Sequence, residues 1–192
     1  MEDKSVLNYI KDVLENMPNS WLNITTHRLD IYDEKLAKTQ FLDQFERLFQ
    51  ANNSESPQLN ELPTAYDYIR LGHPLSCVLE WGIAKLNHLK SENVISFSSK
   101  TIPILAILRK NLLNHKNTRI LYTGELPAFF DAEIVKDVYG YNFEFNKVEE
   151  LDTISKFNGS TILISHQDKI SSINTVLNID FLTWPEPPYL TH

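Results

Sequence analysis

Residues 118–165 read TRILYTGELPAFFDAEIVKDVYGYNFEFNKVEELDTISKFNGSTILIS, and this stretch decides the fold class. TRILYT (118–123) and STILIS (160–165) are short apolar runs rich in β-branched residues. Polar, glycine-bearing segments flank them, so each predicts a buried strand. YNFEF (141–145) alternates apolar and polar, which predicts a third strand. Between the first two runs, Phe130, Ile134, Val135 and Val138 recur at helical spacing and predict a helix over 127–139. Val148 to Phe157 reads as a shorter helix. Upstream, NVISF (93–97) reads as a strand. Ser98, Ser99 and Thr101 then offer capping oxygens to a helix over 101–114. Helices and strands alternate throughout, which predicts an α/β fold, a three-layer sandwich around a mostly parallel sheet.

The first third of the chain has a different pattern. Val6, Leu7, Ile10, Val13, Leu14 and Met17 share one face of a helix over 5–17, stopped by Pro18-Asn19-Ser20. Leu36, Phe41, Leu42, Phe45, Leu48 and Phe49 do the same over 34–50. ANNSESPQLNELP (51–63) is polar and closed by a proline, so it reads as a linker. The expected organisation is therefore a helical N-terminal extension (1–50), a linker (51–63) and an α/β domain (64–192). Pro74 suits the first turn of a helix running to about Lys90. WPEPPYLTH (184–192) is too proline-rich to continue a helix or a central strand.

Composition excludes several function classes. A net charge of −7 opposes a generic nucleic-acid binder. No run of about 18 apolar residues is present, so no membrane span is expected. MEDKSVLNYI lacks the basic start and apolar core of a signal peptide, which makes the cytoplasm the expected location. Cys77 is the only cysteine, so neither an internal disulfide nor a cysteine-built metal site is expected. The histidines at 27, 73, 88, 115, 166 and 192 have no metal-ligand spacing. The chain has five glycines and neither a GxGxxG nor a Walker A pattern, which weighs against a nucleotide-binding enzyme.

One further stretch bears on function: YDYIRLGHPLSCVLEW, residues 66–81. Its Tyr68-Ile69-Arg70-Leu71-Gly72-His73-Pro74 resembles the Y-x-R-x-x-N-P segment of the cystathionine synthase and lyase family. These are pyridoxal-phosphate enzymes of cysteine and methionine metabolism, built on an aspartate-aminotransferase-like large domain. Leu79-Glu80-Trp81-Gly82-Ile83-Ala84-Lys85-Leu86 is similar to the family's next helix, L-E-x-x-x-A-x-L. Val94-Ile95-Ser96-Phe97-Ser98-Ser99-Lys100 is similar to its strand ending in F-S-S-G. The later strands and helices follow in the family's order, and the resemblance spans roughly residues 64–166. It implies that Tyr68 and Arg70 hold a cofactor phosphate across a subunit interface, as a phenol and a guanidinium fork can. It also implies that the backbone around Ser99, Lys100 and Thr101 forms the phosphate cradle at a helix N-terminus.

The chain departs from the family in ways that shape the expected function. Lys100 stands where the cradle has glycine. GELPAFF (124–130) offers no ring-stacking tyrosine, and the family's ring-nitrogen aspartate and Schiff-base lysine have no counterpart. The expectation is a truncated, non-catalytic relative that serves as an interaction or regulatory protein, with no catalytic residue and no required cofactor. Its partner is then a second copy or a full-length pyridoxal-phosphate enzyme. An alternative is an accessory subunit that lends Tyr68 and Arg70 to such a partner's active site. A third reading rests on Ser96 to Thr101, which resembles the S-x-S-G-x-T turn of sugar-phosphate isomerase domains. Beside these stand plainer roles: Arg70 in a surface ion pair, Ser99 and Thr101 as helix caps, His73 as a turn residue and Cys77 as a small buried apolar group. His166 and Asp168, just after STILIS, could meet at a strand end or form a surface loop pair.

Overall fold

The computed structural model describes residues 2–22, 34–63, 73–165 and 178–185. Two compact units divide the chain, Met1–Ser96 and Phe97–His192.

The first unit is helical. α1 (Glu2–Asn16), α2 (Glu34–Gln50), α3 (Ser56–Asn60) and α4 (Pro74–Leu86) surround an aromatic core, joined by a 3-10 turn at Asn19–Leu22. Val6, Tyr9 and Val13 of α1, Phe41 and Phe45 of α2 and Trp81 of α4 are all buried in it. The rings meet edge-on: Phe45 and Trp81 lie 5.1 Å apart at 85°, and Phe49 and Trp81 4.9 Å apart at 67°. Such pairs add roughly 1 kcal/mol each beyond the area they bury. Gly82 lets α1 approach α4, since a Cβ there would lie 2.7 Å from Ile10 Cδ1.

The segment 51–63 is more than a linker, because α3 lies in it and its Leu59, with Leu62, is buried in this core. The units divide after Ser96 instead, and α4 belongs with the N-terminal helices. Two buried apolar anchors outweigh the segment's polar composition. α4 also ends sooner than its apolar spacing suggests. His88 turns left-handed at φ 55°, and Leu89 N–H donates back to Ala84 O at 2.8 Å. Asn52 and His115 play the same part after α2 and α5, with φ 49° and 52°. In a glycine-poor chain, Asn and His close helices where glycine is the usual residue.

The second unit is an α/β sandwich. Strands β1 (Thr118–Tyr122), β2 (Glu144–Lys147), β3 (Ser160–Ile164) and β4 (Phe181–Thr183) form an all-parallel sheet in the order β2-β1-β3-β4. α5 (Ile102–Leu113) and α6 (Ala132–Asp137) pack on one face, where Ile104, Leu108 and Val135 meet Ile120, Ile162 and Ile164. The connection from β2 to β3, with a 3-10 turn at Leu151–Thr153, covers the other face. This is the three-layer arrangement that the alternation of elements predicts.

Several elements differ from their sequence reading. Residues 94–97 are not a strand: the Ser96 N–H that a ladder would use donates to Glu80 Oε1 at 2.6 Å instead. The helix expected over 127–139 starts only after Asp131, whose Oδ1 accepts from Glu133 N and Ile134 N, both at 3.0 Å. β2 begins at Glu144 rather than Tyr141. Residues 148–157 form one 3-10 turn rather than a helix, because side chains claim their carbonyls: Arg119 bonds Ser155 O and Asn178 bonds Ile154 O. β4 ends just before Trp184, where the proline-rich WPEPPYLTH begins, and no sequence pattern singles it out.

Candidate functional site

All four strands run the same way, so their carboxyl ends share one edge of the sheet. In open parallel sheets ligands bind outside that edge, where neighbouring strands send their connections opposite ways. The strand order places such a point between β1 and β3. Buried Thr123 and Ser165 stand there, and Thr123 N–H extends the ladder to Ile164 O at 3.2 Å. Gly124 follows at φ 74°, a left-handed turn that suits glycine.

The predicted cradle residues reach this same edge. α5 runs into β1 through a short connection, so its N-terminus points back toward the carboxyl ends. Thr101 Oγ1 ties it there by donating to Phe129 O, in the loop after β1, at 3.0 Å. Ser99 Oγ accepts from Thr101 N and Ile102 N at 3.3 and 3.4 Å, which caps α5. Pro103 offers no N–H in that first turn. Thus Ser99, Lys100 and Thr101 come together at one helix start, and both hydroxyls are already engaged by the protein. The Ser99 bonds are long, so an anion oxygen could compete for these amides. Lys147, the last residue of β2, and Glu149 form an exposed pair at 2.8 Å, and the hydrogen bond and charge of Glu149 raise the Lys147 pKa.

Tyr68, Arg70, His166 and Asp168 lie outside the described residues. His73 is the N-cap of α4: its Nδ1 accepts from Leu75 N at 3.2 Å. Cys77 is fully buried. Burial and the nearby Glu80 charge push its thiol up to about 12, against the opposing pull of Lys38, so it is an inert core residue. Among the described residues no three His, Cys, Asp or Glu side chains converge to hold a metal. None of their helices is long and apolar enough to cross a membrane.

Two features escape the sequence reading. The first is an open cleft of ≈ 560 Å³ at the opposite, amino-terminal edge of the sheet, lined among others by Leu108, His115, Lys116, Tyr141 and Phe157. Its walls combine α5 with the starts of β1 and β2 and the loops before them, so no single periodicity announces it. The second is Arg119, buried on central strand β1. Its Nη2 bonds Ser155 O at 2.9 Å and Thr161 Oγ1 at 3.0 Å, its guanidinium lies 4.8 Å from the Phe157 ring centre, and its Nε has no partner among the described residues. A charge inside the apolar run TRILYT was the available signal.

No protein-family model, curated protein or solved structure matches this chain.

Proposed function

We propose that this chain is a non-catalytic interaction or regulatory protein, related to the pyridoxal-phosphate enzymes of cysteine and methionine metabolism. The observation that carries the reading is the turn at Ser98–Thr101. It lies at the start of α5 beside the carboxyl edge of a parallel sheet, a setting in which anions are commonly bound, yet its polar atoms serve the fold. The Thr101 hydroxyl holds the loop after β1, and the Ser99 hydroxyl caps α5. Lys100 in place of glycine supports the same view, since a tight anion cradle needs close backbone approach.

Should phosphate still bind, Ser99, Lys100 and Thr101 would hold it through the start of α5, with Tyr68 and Arg70 as the family-like partners. Pyridoxal phosphate would then supply its electron-sink chemistry. The test is a calorimetric titration of the chain with pyridoxal phosphate, with Arg70→Ala alongside. The expected result is no saturable binding in either protein. Tight binding that Arg70→Ala abolishes would overturn the non-catalytic reading and favour an accessory subunit that completes an enzyme's site.

A further inference from the structure

Residues 93–124 contain Lys100, Arg109, Lys110, Lys116 and Arg119 but no Asp or Glu, in a chain of net charge −7. Four of these five cations are exposed, Arg119 being the buried one. Arg109 and Lys110 of α5, and Lys116 just beyond it, are exposed, with Lys110 Nζ also 5.3 Å from the Phe181 ring centre on the flank toward β4. Exposed apolar side chains interleave with them: Ile102 at 45%, Leu112 at 51% and Leu113 at 65%. At 3.6 residues per turn, Ile102, Ala106, Arg109 and Leu113 fall on one line down the helix. The opposite line, with Ile104 and Leu108, is buried in the core. The C-terminal end of α5 opens into the ≈ 560 Å³ cleft, whose walls include Leu112, His115, Lys116 and Tyr141 and a single carboxylate, Glu144.

An ordinary solvent face mixes charges of both signs and few large apolar groups. The helix dipole accounts for a cation in the last turn. It accounts neither for two adjacent leucines in water nor for the absence of every carboxylate along the helix.

We propose that the outer face of α5, with the cleft at its C-terminal end, docks an acidic segment of a partner protein that also bears apolar anchor side chains. Carboxylates on the segment match Arg109, Lys110 and Lys116, and apolar anchors match Leu112, Leu113 and the cleft. Charge complementarity sets orientation and on-rate, while buried apolar anchors supply most of the affinity. A nucleic acid fits less well, because its phosphates leave the leucines without a counterpart and a chain of charge −7 repels a long polyanion. An anionic membrane is flat and leaves the cleft unfilled. The inference deepens the interaction reading above but stands on other residues. The pyridoxal phosphate titration reads Arg70 and the cradle, whereas the titration below reads α5, so each can fail alone.

The test is fluorescence anisotropy of the whole chain with a labelled peptide of glutamates and leucines bearing one tryptophan. Two control peptides carry glutamine for glutamate, or serine for leucine. The protein variants are the exposed-site triple R109E/K110E/K116E and, separately, Leu113→Ser, each checked for fold by circular dichroism. The expected result is saturable binding of the acidic apolar peptide, weaker by about tenfold or more in each variant and for each control. Equal binding of all three peptides, or undiminished binding to both variants, would overturn the proposal. So would tighter, variant-sensitive binding of single-stranded DNA or phosphatidylserine vesicles, because the occupant would then be of another class.

Discussion

The first unit buries Trp21, Phe41, Phe45 and Trp81 in an aromatic cluster; the second buries Ile104, Ile120, Ile162 and Ile164 between sheet and helices. Their buried charges differ as sharply. In the first unit Glu80 pairs with Lys38 at 2.5 Å and accepts from Ser96 N and Oγ, while Lys38 also donates to Val94 O. In the second, Arg119 has only neutral acceptors among the described residues. Helices without a backbone ladder between them depend on side-chain contacts, so the first unit should suffer most from side chains removed. A parallel sheet is held by its ladder and by close backbone approach, so the second should suffer from atoms added.

Removing the central ring probes this contrast hardest. Trp81→Ala should cost about 4 kcal/mol, read as a shift in the urea midpoint of the helical signal. Glu80→Ala should cost about 3 kcal/mol by leaving Lys38 without its carboxylate, and adding Lys38→Met should recover most of it. Failure of that rescue would mean that the bonds to Ser96, not the charge pair, are what Glu80 provides.

The sheet unit answers to the opposite change. A Cβ on Gly159 would collide with the Asn117 carbonyl oxygen and with the Phe157 ring at 2.6 Å. Gly159→Ala should therefore cost about 2 kcal/mol, seen as faster amide exchange in β1 and β3 with the helical unit unchanged. Relief of backbone strain tests the first unit in the stabilising direction: His88→Gly should add roughly 1 kcal/mol, because φ is 55° there.

The smallest effect concerns Glu46. Partial burial raises its pKa, but hydrogen bonds from Lys85, Trp81 and Gln50, with the Lys85 charge, outweigh burial and hold it below the usual carboxylate range. Its contribution is thus complete above the unfolded value and is lost as pH falls through the lower folded one. Glu46→Gln should flatten the acid side of the stability profile of the helical unit, by less than about 1 kcal/mol because the pair is half-exposed. An unchanged profile would assign that acid sensitivity to other groups.

The same contrast explains what the sequence reveals. Apolar stripes at positions 6 and 13, and at 41, 42 and 45, mark helices because one face of each is buried in a shared core. STILIS marks β3 because every residue from Ser160 to Ile164 is buried. NVISF reads as a strand on composition, but a carboxylate sixteen positions upstream takes its N–H. The segment 148–157 reads as a helix, but Arg119 and Asn178 take its carbonyls. In both places a distant side chain competes for backbone groups, and no local pattern reports such competition. Ser99, Lys100 and Thr101 were legible as a cluster at a helix start. That their hydroxyls hold the fold together was not, because Phe129 lies twenty-eight positions from Thr101.

The single cysteine has a use that follows from its inertness. Cys77 is shut inside the helical unit with a thiol pushed up to about 12, so a thiol-reactive dye in neutral buffer can reach it only while α4 stands open. The rate of labelling is then a native clock for the breathing of that one unit. It needs no engineered probe, and no second thiol in the sequence would blur the reading.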